Sequence, residues 1–346
     1  MSYRFYTKST SVWSGMYQAI SQAQESVFLE MYIFLEDTRE THDFVGLLVA
    51  KAEAGVLVVL VLDAFGSHNL SKKAIKRLRT AGVDLHFFSH LLYRSHRKIL
   101  VIDKKLAFIG GANIKKNTQQ WNDLTMQVSG VVVKPILKSF AYTYKISGGK
   151  NPQILAYSEQ ALSRKIKAWL VDNWPRSRKT YYLDNYYREK IANAQKSVKM
   201  TSPYLAPPRW LMALIDSALR RGVRVEILIP KNTDHRSLNK VNYLNAGRLS
   251  ALGTRCYFLP VMNHSKIMII DDEEAVVGSQ NLDIFSFGIN FEAGIFFSQK
   301  EAVRNLLRIF DNWKKTSTPF NYKKKKKINC SDRFLLTVIK FLEPLF

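Results

Sequence analysis

An internal duplication is the feature of this 346-residue sequence that most constrains its fold. Three segments in the first half have similar counterparts about half the chain further on, in the same order. The matched ranges are 25–32 with 196–204, 54–63 with 221–230, and 81–88 with 252–259. Self-similarity at one long period indicates a repeated structural unit. The sequence therefore predicts two similar halves.

Each half is predicted to alternate strands with helices. Residues 56–62 form a continuous apolar run rich in β-branched side chains, which is typical of a strand buried on both faces. Gly55 and Gly222 stand where the end of a preceding helix favours a left-handed residue. The pattern predicts an α/β fold made of two similar α/β sandwich halves, related by a pseudo-twofold axis, with an active site between them.

The predicted boundaries divide the chain into three parts. Residues 1–150 form the first half, 151–317 the second half, and 318–346 a C-terminal tail. The stretch 147–179, with Gly148, Gly149 and Pro152, is predicted to connect the two halves.

The tail combines a basic run with an apolar segment. The basic run consists of Lys323, Lys324, Lys325, Lys326 and Lys327, and the apolar segment begins at Phe334 and ends at Phe346. A lysine cluster beside a short apolar segment predicts an anchor on an anionic membrane surface. The alternative is a helix packed on the protein behind a solvated lysine linker.

The charge balance restricts the partners. Lysine and arginine number 52 against 28 aspartates and glutamates, so the net charge is +24, which favours nucleic acid or anionic lipid as a partner. The sequence shows no cleavable signal, no apolar stretch long enough to span a bilayer, and no Gly-rich ATP-binding loop. Two isolated cysteines, Cys256 and Cys330, predict a reducing compartment.

A duplicated polar motif carries the predicted chemistry. It reads His-x-Lys-x-x-x-x-Asp, followed at one fixed spacing by Gly-x-x-Asn. Its members are His96, Lys98, Asp103 and Asn113 in the first half, and His264, Lys266, Asp271 and Asn281 in the second. One copy alone would be a weak signal, because a lone histidine on a strand is more often a structural residue. Two copies in register indicate a catalytic site.

The spacing predicts how the motif is arranged. Alternate side chains of a strand share one face, so each histidine points the same way as the lysine of its own copy. Asp103 and Asp271 end the strands, where a carboxylate can tie a turn, and both are grouped with the catalytic residues. Gly110 and Gly278 are expected to let backbone approach a ligand. Two imidazoles, two ammonium groups and two amides would surround one tetrahedral anion, most naturally a phosphate.

These residues resemble the phospholipase D superfamily, and most closely the bacterial cardiolipin synthases. The resemblance reaches to about Trp313 and includes the segments 121–123, 201–207 and 278–292. Phe285 stands where that subfamily commonly has arginine, and the two membrane-spanning helices with which many of its members begin are absent from this sequence. The resemblance implies a phosphatidyltransferase that needs no metal ion or other cofactor.

The resemblance also implies roles for individual residues. His96 would attack phosphorus to form a phosphohistidine, and His264 would act as general acid and then as general base, although the order of the two histidines stays open. Lys98, Lys266, Asn113 and Asn281 would hold the phosphate oxygens. Asp123 and Glu292 would each orient the histidine of its own half, which pairs Asp123 with His96 and Glu292 with His264.

The leading hypothesis is cardiolipin synthesis from phosphatidylglycerol, on the cytoplasmic side of a bacterial inner membrane to which the protein is peripherally bound. The nearest alternative is a phospholipase D hydrolase, which differs only in that water is the second substrate. A phospholipase D-like nuclease would fit the net charge equally well, since nucleic acid is also a polyanion. A catalytically silent scaffold that binds anionic lipid is a further alternative, and the intact histidines and lysines argue against it.

Overall fold

The computed structural model describes residues 2–160, 168–173 and 182–321. The elements up to residue 160 are β1 (Ser2–Lys8), α1 (Ser9–Gln22), β2 (Ser26–Met31), α2 (Phe44–Glu53), β3 (Leu57–Asp63), α3 (Lys72–Thr80), β4 (Asp84–Phe88), β5 (Lys98–Ile102), β6 (Leu106–Gly110), β7 (Asn122–Ser129), α4 (Val133–Ile146) and α5 (Pro152–Glu159).

The remaining elements follow a similar succession. They are β8 (Ala168–Asn173), α6 (Tyr182–Asn193), β9 (Ser197–Thr201), β10 (Leu205–Ala206), α7 (Arg209–Arg220), β11 (Arg224–Pro230), α8 (Arg236–Leu252), β12 (Arg255–Leu259), β13 (Ile267–Ile270), β14 (Glu274–Gly278), β15 (Leu282–Asp283), α9 (Ile284–Gly288), β16 (Glu292–Phe297), α10 (Lys300–Lys315) and β17 (Thr318–Pro319). Relative to the first half, β10, β15, α9 and β17 are added.

The two main sheets share one topology. The first has the strand order β4-β3-β2-β5-β6-β7-β1, and the second has the order β17-β12-β11-β9-β13-β14-β16-β8. In the first sheet β2, β3 and β4 are parallel, and β5 and the strands beyond it pair antiparallel. In the second sheet β9, β11 and β12 are parallel, and β13 and the strands beyond it pair antiparallel. The duplicated α/β architecture predicted from the sequence is therefore confirmed.

Local sequence explains the buried strands and the turns that lead into them. Residues 58–63 of β3 are fully buried, as its continuous apolar sequence predicts. Gly55 and Gly222 have φ values of +85° and +86°, the left-handed conformation that ends α2 and α7 before β3 and β11. Each Gly therefore sets the direction in which a parallel strand enters its sheet.

The two sheets enclose a common core. Along β5, Ile99 and Val101 point into this shared core, whereas Leu100 and Ile102 point toward the helices on the outer face of the first sheet. The strand β13 follows the same alternation, and its Ile267 and Ile269 belong to the shared core. Side chains of α4 and α10 complete that core, so the halves are joined by a continuous apolar interior.

The connection predicted at 147–179 contains regular structure. It holds the helix α5 and the strand β8, and β8 pairs antiparallel with β16 at the edge of the second sheet. The strand β1 takes the equivalent place beside β7 in the first sheet. The sequence missed these elements because Gly148, Gly149 and Pro152 suggested a linker, whereas Pro152 is in fact the first residue of α5. The boundaries at 150/151 and 317/318 stay predictions.

The membrane anchor predicted at 323–346 lies outside the described residues. Across the ranges 2–160, 168–173 and 182–321, no helix is both long and apolar enough to cross a bilayer.

Asp103 and Asp271 tie equivalent turns at the ends of β5 and β13. Both residues have positive φ values, 50° and 54°, as does the residue that follows each of them. The Asp103 carboxylate accepts hydrogen bonds from the backbone N–H groups of Gln24, Glu25 and Ser26, at 2.8 to 3.2 Å. Asp271 accepts the equivalent bonds from residues 195–197. These bonds lower the pKa of both carboxyl groups, although partial burial opposes them.

We expect Asp103→Ala to lower the free energy of unfolding by about 1–3 kcal/mol, because three backbone N–H groups lose a charged acceptor. Since the pKa of Asp103 is lower in the folded state, its contribution is present above the unfolded value and is lost as the pH falls through the folded one. Urea titrations between pH 7 and pH 3 measure both effects.

Asp216→Ala serves as the control for that series. Asp216 forms an exposed helical pair with Arg220, which contributes less than about 1 kcal/mol. Turnover per folded molecule should be unchanged in Asp103→Ala. A stable Asp103→Ala protein with impaired turnover would show that this carboxylate serves catalysis after all.

Candidate active site

Both motif histidines lie where a strand of one half meets a loop of the other. The backbone N–H of His96 donates to the carbonyl of Phe291 at 3.0 Å, and the backbone N–H of His264 donates to the carbonyl of Asn122 at 2.7 Å. Short parallel bridges join Ser95 to Phe291 and Asn122 to Asn263. Each histidine is therefore held by backbone from the opposite half of the chain.

The carboxylates that orient the histidines come from the opposite halves as well. Nδ1 of His96 lies 3.0 Å and 3.1 Å from the two carboxylate oxygens of Glu292, and Nδ1 of His264 lies 2.9 Å from Oδ2 of Asp123. The pairing predicted within each half is therefore wrong. Its physical reason is the bridge between halves, because Glu292 directly follows Phe291 and Asp123 directly follows Asn122.

The two carboxylates have different surroundings. The hydroxyl groups of Ser279 and Ser286 donate to Glu292, the latter at 2.7 Å. Asp123 instead accepts from the backbone N–H of Leu124 at 2.7 Å. Burial raises the pKa of Glu292 to about 7, against the lowering effect of Lys98 and the two serines. Neither Ser279 nor Ser286 belongs to the duplicated motif, although both lie in the segment 278–292 that carries the resemblance.

The Gly positions after the motif serve packing between strands and side chains. A Cβ on Gly111 would lie 2.3 Å from Oδ1 of Asp123 and 3.0 Å from the carbonyl of His264. A Cβ on Gly110 would meet the carbonyl of Leu124 at 2.3 Å, and one on Gly278 would meet the carbonyl of Ala293 at 2.5 Å. The expectation that Gly110 and Gly278 make room for a ligand is therefore wrong, because protein atoms occupy that space.

The motif lysines are buried beneath the histidines. Lys98 and Lys266 each donate a hydrogen bond from Nζ to the backbone carbonyl of the histidine two residues earlier. Nζ of Lys98 also lies 5.0 Å from the centre of the Tyr32 ring. Burial lowers the pKa of Lys98 well below its ordinary range and that of Lys266 to about 8, while nearby carboxylates partly oppose this effect.

The surroundings of both histidines favour the neutral imidazole. Burial, followed by the positive charges of Lys98 and Lys266, lowers the pKa of His96 well below its ordinary value. Burial and Lys266 also lower the pKa of His264, although Asp123 acts in the opposite direction. A neutral imidazole that donates from Nδ1 to a carboxylate has a lone pair on Nε2. Each histidine can therefore present a base or a nucleophile to a substrate.

The cavity that both histidines line has a volume of about 650 Å³. Asn113 and Asn281 line it from opposite halves, as the motif predicts. Oδ1 of Asn113 accepts from the backbone N–H of Ile33 at 3.3 Å, and the backbone N–H of Asn281 donates to the Ser286 hydroxyl at 3.0 Å. Asp103 and Asp271 do not reach this cavity. Grouping them with the catalytic residues is therefore wrong, because each carboxylate is taken up by a backbone turn at the far end of its strand.

The walls of the cavity differ in charge at equivalent positions. Two residues after Asn113 the first half places Lys115, and two residues after Asn281 the second half places Asp283. Arg94 adds a cation to the first wall, whereas Asp234 adds a carboxylate to the second. Burial raises the pKa of Asp283 to about 6. These residues lie outside the duplicated motif, and the reversal of charge two positions after each Asn is visible when the two repeats are aligned.

Within the described part of the chain, no group of three or more His, Cys, Asp or Glu side chains is arranged to hold a metal ion. Of the four basic motif residues, the two histidines line the cavity, whereas Lys98 and Lys266 are buried and donate to the histidine carbonyls.

Comparison with known proteins places these observations in a family. The family described as "Cardiolipin synthase, PLD-like domain" matches residues 16–142 and 187–314, one match in each half. A cardiolipin synthase from Geobacillus sp. (strain WCH70) is 29% identical over 372 aligned residues, which cover 99% of this chain and 72% of that protein. Cardiolipin synthase A from Pseudomonas aeruginosa (strain LESB58) is 31% identical over 310 residues, covering 84% of this chain and 62% of that protein.

A solved structure shares the fold over nearly the whole chain. Phosphatidylserine synthase from Haemophilus influenzae Rd KW20 superposes with a TM-score of 0.75 at 14% sequence identity, covering 99% of this chain and 93% of that one. This similarity confirms the predicted fold of two α/β halves.

Proposed function

Because the chain belongs to the phospholipase D superfamily, within the family of cardiolipin synthase PLD-like domains, we propose that it transfers a phosphatidyl group between phospholipids through a phosphohistidine. Two phosphatidylglycerol molecules would give cardiolipin and glycerol. One observation carries the proposal: two buried histidines, each bound at Nδ1 by a carboxylate of the other half, line a single cavity. The cardiolipin synthases that resemble the chain support the same substrate class.

The first step forms the covalent intermediate. Nε2 of His96 attacks the phosphorus of phosphatidylglycerol, the P–N bond forms, and the P–O bond to the glycerol head group breaks. The departing oxygen takes a proton from Nε2 of His264, which enters the step as an imidazolium. Asp123 raises the pKa of His264 and so favours its charged form, which supports His264 as the general acid and His96 as the nucleophile. The bound phosphate anion would favour that charged form further.

The second step releases the enzyme. A hydroxyl group of a second phosphatidylglycerol gives its proton to Nε2 of His264, and its oxygen attacks the phosphorus. The P–N bond to His96 breaks, cardiolipin leaves, and His264 is again protonated. If water takes the place of the lipid alcohol, the same step yields phosphatidic acid. Competition between water and alcohol therefore decides between transfer and hydrolysis.

The lysines and the amides stabilise the charge that develops on the phosphate. Lys98 and Lys266 lie beneath the histidines from opposite halves, and Asn113 and Asn281 face the cavity between them. Their N–H groups would donate to the non-bridging oxygens in both steps. These four donors, two at the starts of β5 and β13 and two in the loops after β6 and β14, would supply this stabilisation without a metal ion, and activity in excess EDTA tests that part of the proposal.

We expect kcat/KM to fall above about pH 8, because Lys266 loses the proton that makes it a cation. In Lys266→Arg the guanidinium stays charged, so the alkaline limb of the pH profile should move to higher pH. Lys98→Arg is the matched variant from the first half and keeps the limb in place. A limb that moves only in Lys98→Arg would assign the titration to Lys98.

The proposed cellular location is the cytoplasmic face of a bacterial inner membrane, with the protein bound peripherally. The lysine run from Lys323 to Lys327 and the apolar segment after it would contact anionic lipid. Truncation after Tyr322 tests this part, because vesicle binding that survives truncation unchanged would contradict a tail anchor. A retained fold, measured by circular dichroism, is the control.

The decisive experiment for the proposed function uses phosphatidylglycerol vesicles with labelled acyl chains and labelled glycerol. Cardiolipin and free glycerol in equal amounts, both lost in His96→Asn, are the expected products. Phosphatidic acid without cardiolipin would assign the chain as a hydrolase. If no lipid reacts, cleavage of plasmid DNA in EDTA tests the nuclease alternative, which the net charge of +24 keeps relevant.

A further inference from the structure

Exposed apolar side chains occur at the active-site cavity and in the loops that lead to the two motif histidines. Phe65 and Phe285 line the cavity and are 61% and 46% exposed. Leu91 and Leu92 are 87% and 62% exposed, four to five residues before His96. Val261 is 47% exposed in the corresponding loop before His264. These five residues are called the apolar rim below. Large apolar groups exposed together around a cavity indicate an interaction surface.

The loop that carries Leu91 and Leu92 is held in shape by its own polar groups. Nδ1 of His90 accepts from the backbone N–H groups of Leu92 and Tyr93, at 3.1 and 3.2 Å. The Arg94 guanidinium donates to the carbonyls of His90 and Tyr93 and lies 4.6 Å above the ring of Phe65. The two leucines therefore project from an ordered tip, and their exposure does not come from a loose chain.

Both halves contribute to the apolar rim at one edge of the molecule. Leu91 and Leu92 follow the end of β4, and Val261 follows the end of β12, which is the equivalent strand. The histidines lie at the C-terminal ends of the parallel strands of each sheet, and this side of the molecule is called its edge. Exposed apolar side chains in equivalent loops of both halves suit the apolar interior of a bilayer better than they suit a single small ligand.

Basic groups accompany the apolar rim. Arg94 and Lys115 line the cavity. Lys72 and Lys73 begin α3, which starts at the same edge and contains no acidic residue. These basic groups of the first half and the net charge of +24 are complementary to anionic lipid head groups. Apolar tips that enter the acyl region, beside cations that stay at head-group level, are typical of interfacial membrane binding.

We propose that the apolar rim inserts into the surface of an anionic bilayer, so that the mouth of the cavity opens onto the lipid head groups. This inference rests on the proposed function for its biological purpose and uses none of the residues of the C-terminal tail. The substrate phosphodiester then enters the cavity from the membrane surface while its acyl chains stay in the lipid. The tail would attach the protein, and the apolar rim would orient it.

Site-specific fluorescence on the full chain tests the insertion. Leu92→Cys is labelled with the polarity-sensitive dye NBD in a Cys330→Ser background, in which the other cysteine, Cys256, is buried. Val131→Cys is the matched control, because Val131 is 58% exposed and follows β7 at the opposite edge of the sheet. On vesicles of phosphatidylglycerol we expect a blue shift and quenching by spin-labelled lipid at position 92 and neither at position 131. Equal signals at both positions would overturn the proposal.

Turnover measurements separate orientation from chemistry. Leu91→Ser with Leu92→Ser should lower kcat/KM on phosphatidylglycerol vesicles at least tenfold, while turnover of monomeric dihexanoyl-phosphatidylglycerol persists. Val131→Ser should leave both unchanged. An equal loss on both substrates would assign the loop to the chemical site and contradict membrane insertion. If the unaltered protein reacts with neither lipid, the proposed function fails, while the fluorescence result still decides whether the apolar rim enters the membrane.

Discussion

Replacing His96 by asparagine should lower phosphatidyl transfer on the order of 10⁴-fold, which corresponds to about 5.5 kcal/mol of lost transition-state stabilisation. The side chain is nearly fully buried and its Nδ1 is held by Glu292, so Nε2 is the ring nitrogen that can act as nucleophile. His264→Asn should cause a loss of similar size. Because the two histidines act in one reaction, the double variant should be hardly less active than either single variant.

A substrate with an activated leaving group separates the two roles. Phosphatidyl-p-nitrophenol needs little help from a general acid, because nitrophenolate leaves without a proton. His264→Asn should therefore still release one equivalent of nitrophenolate in a burst and accumulate an acid-labile phosphoenzyme, whereas His96→Asn should give no burst. The opposite pattern would reverse the assignment of nucleophile and acid, and the absence of both a burst and a phosphoenzyme in both variants would contradict the covalent route.

Glu292→Gln should reduce turnover by about 10²- to 10⁴-fold, because an amide no longer fixes His96 with its proton on Nδ1. Ser279 and Ser286 can still donate to the amide oxygen, so the volume and much of the hydrogen bonding are kept. Asp123→Asn is the matched variant, and it should act on His264 in the same way.

Imidazole NMR shows which histidine each carboxylate controls. In ¹⁵N spectra, Glu292→Gln should move the Nδ1 resonance and the pKa of His96 and leave His264 close to its original values. Asp123→Asn should do the reverse. If Glu292→Gln instead perturbed His264, the pairing across the halves would be wrong, whatever the change in turnover.

The sequence was sufficient for the architecture because the relevant signals are local and duplicated. The apolar run at 56–62, the left-handed Gly55 and Gly222, and the repeated segments all refer to neighbouring residues within one half. The duplicated motif is also a local signal, because each copy stands at the start of an equivalent strand. Equivalent positions in two similar halves are what predicted that His96 and His264 line one cavity.

What the sequence missed depends on contacts between distant residues. Glu292 reaches His96 only because Phe291 bridges to Ser95, and no spacing within either half encodes that bridge. Asp103 looked catalytic because it belongs to the motif, whereas its role depends on residues 24–26, which lie far away in sequence. That Lys115 and Asp283 line one cavity likewise depends on contacts between the two halves.

Each half supplies the carboxylate that orients the histidine of the other half, and this limits how such a protein can be split into fragments and how its two copies can diverge. A first half expressed alone would carry His96 without Glu292, and a second half alone would carry His264 without Asp123. Neither fragment could complete a histidine–carboxylate pair unless it associated with another copy of itself or with its complement. A mutation of either carboxylate therefore affects the histidine of the other half. After the duplication, each copy evolved under the constraint of orienting the histidine of the other copy.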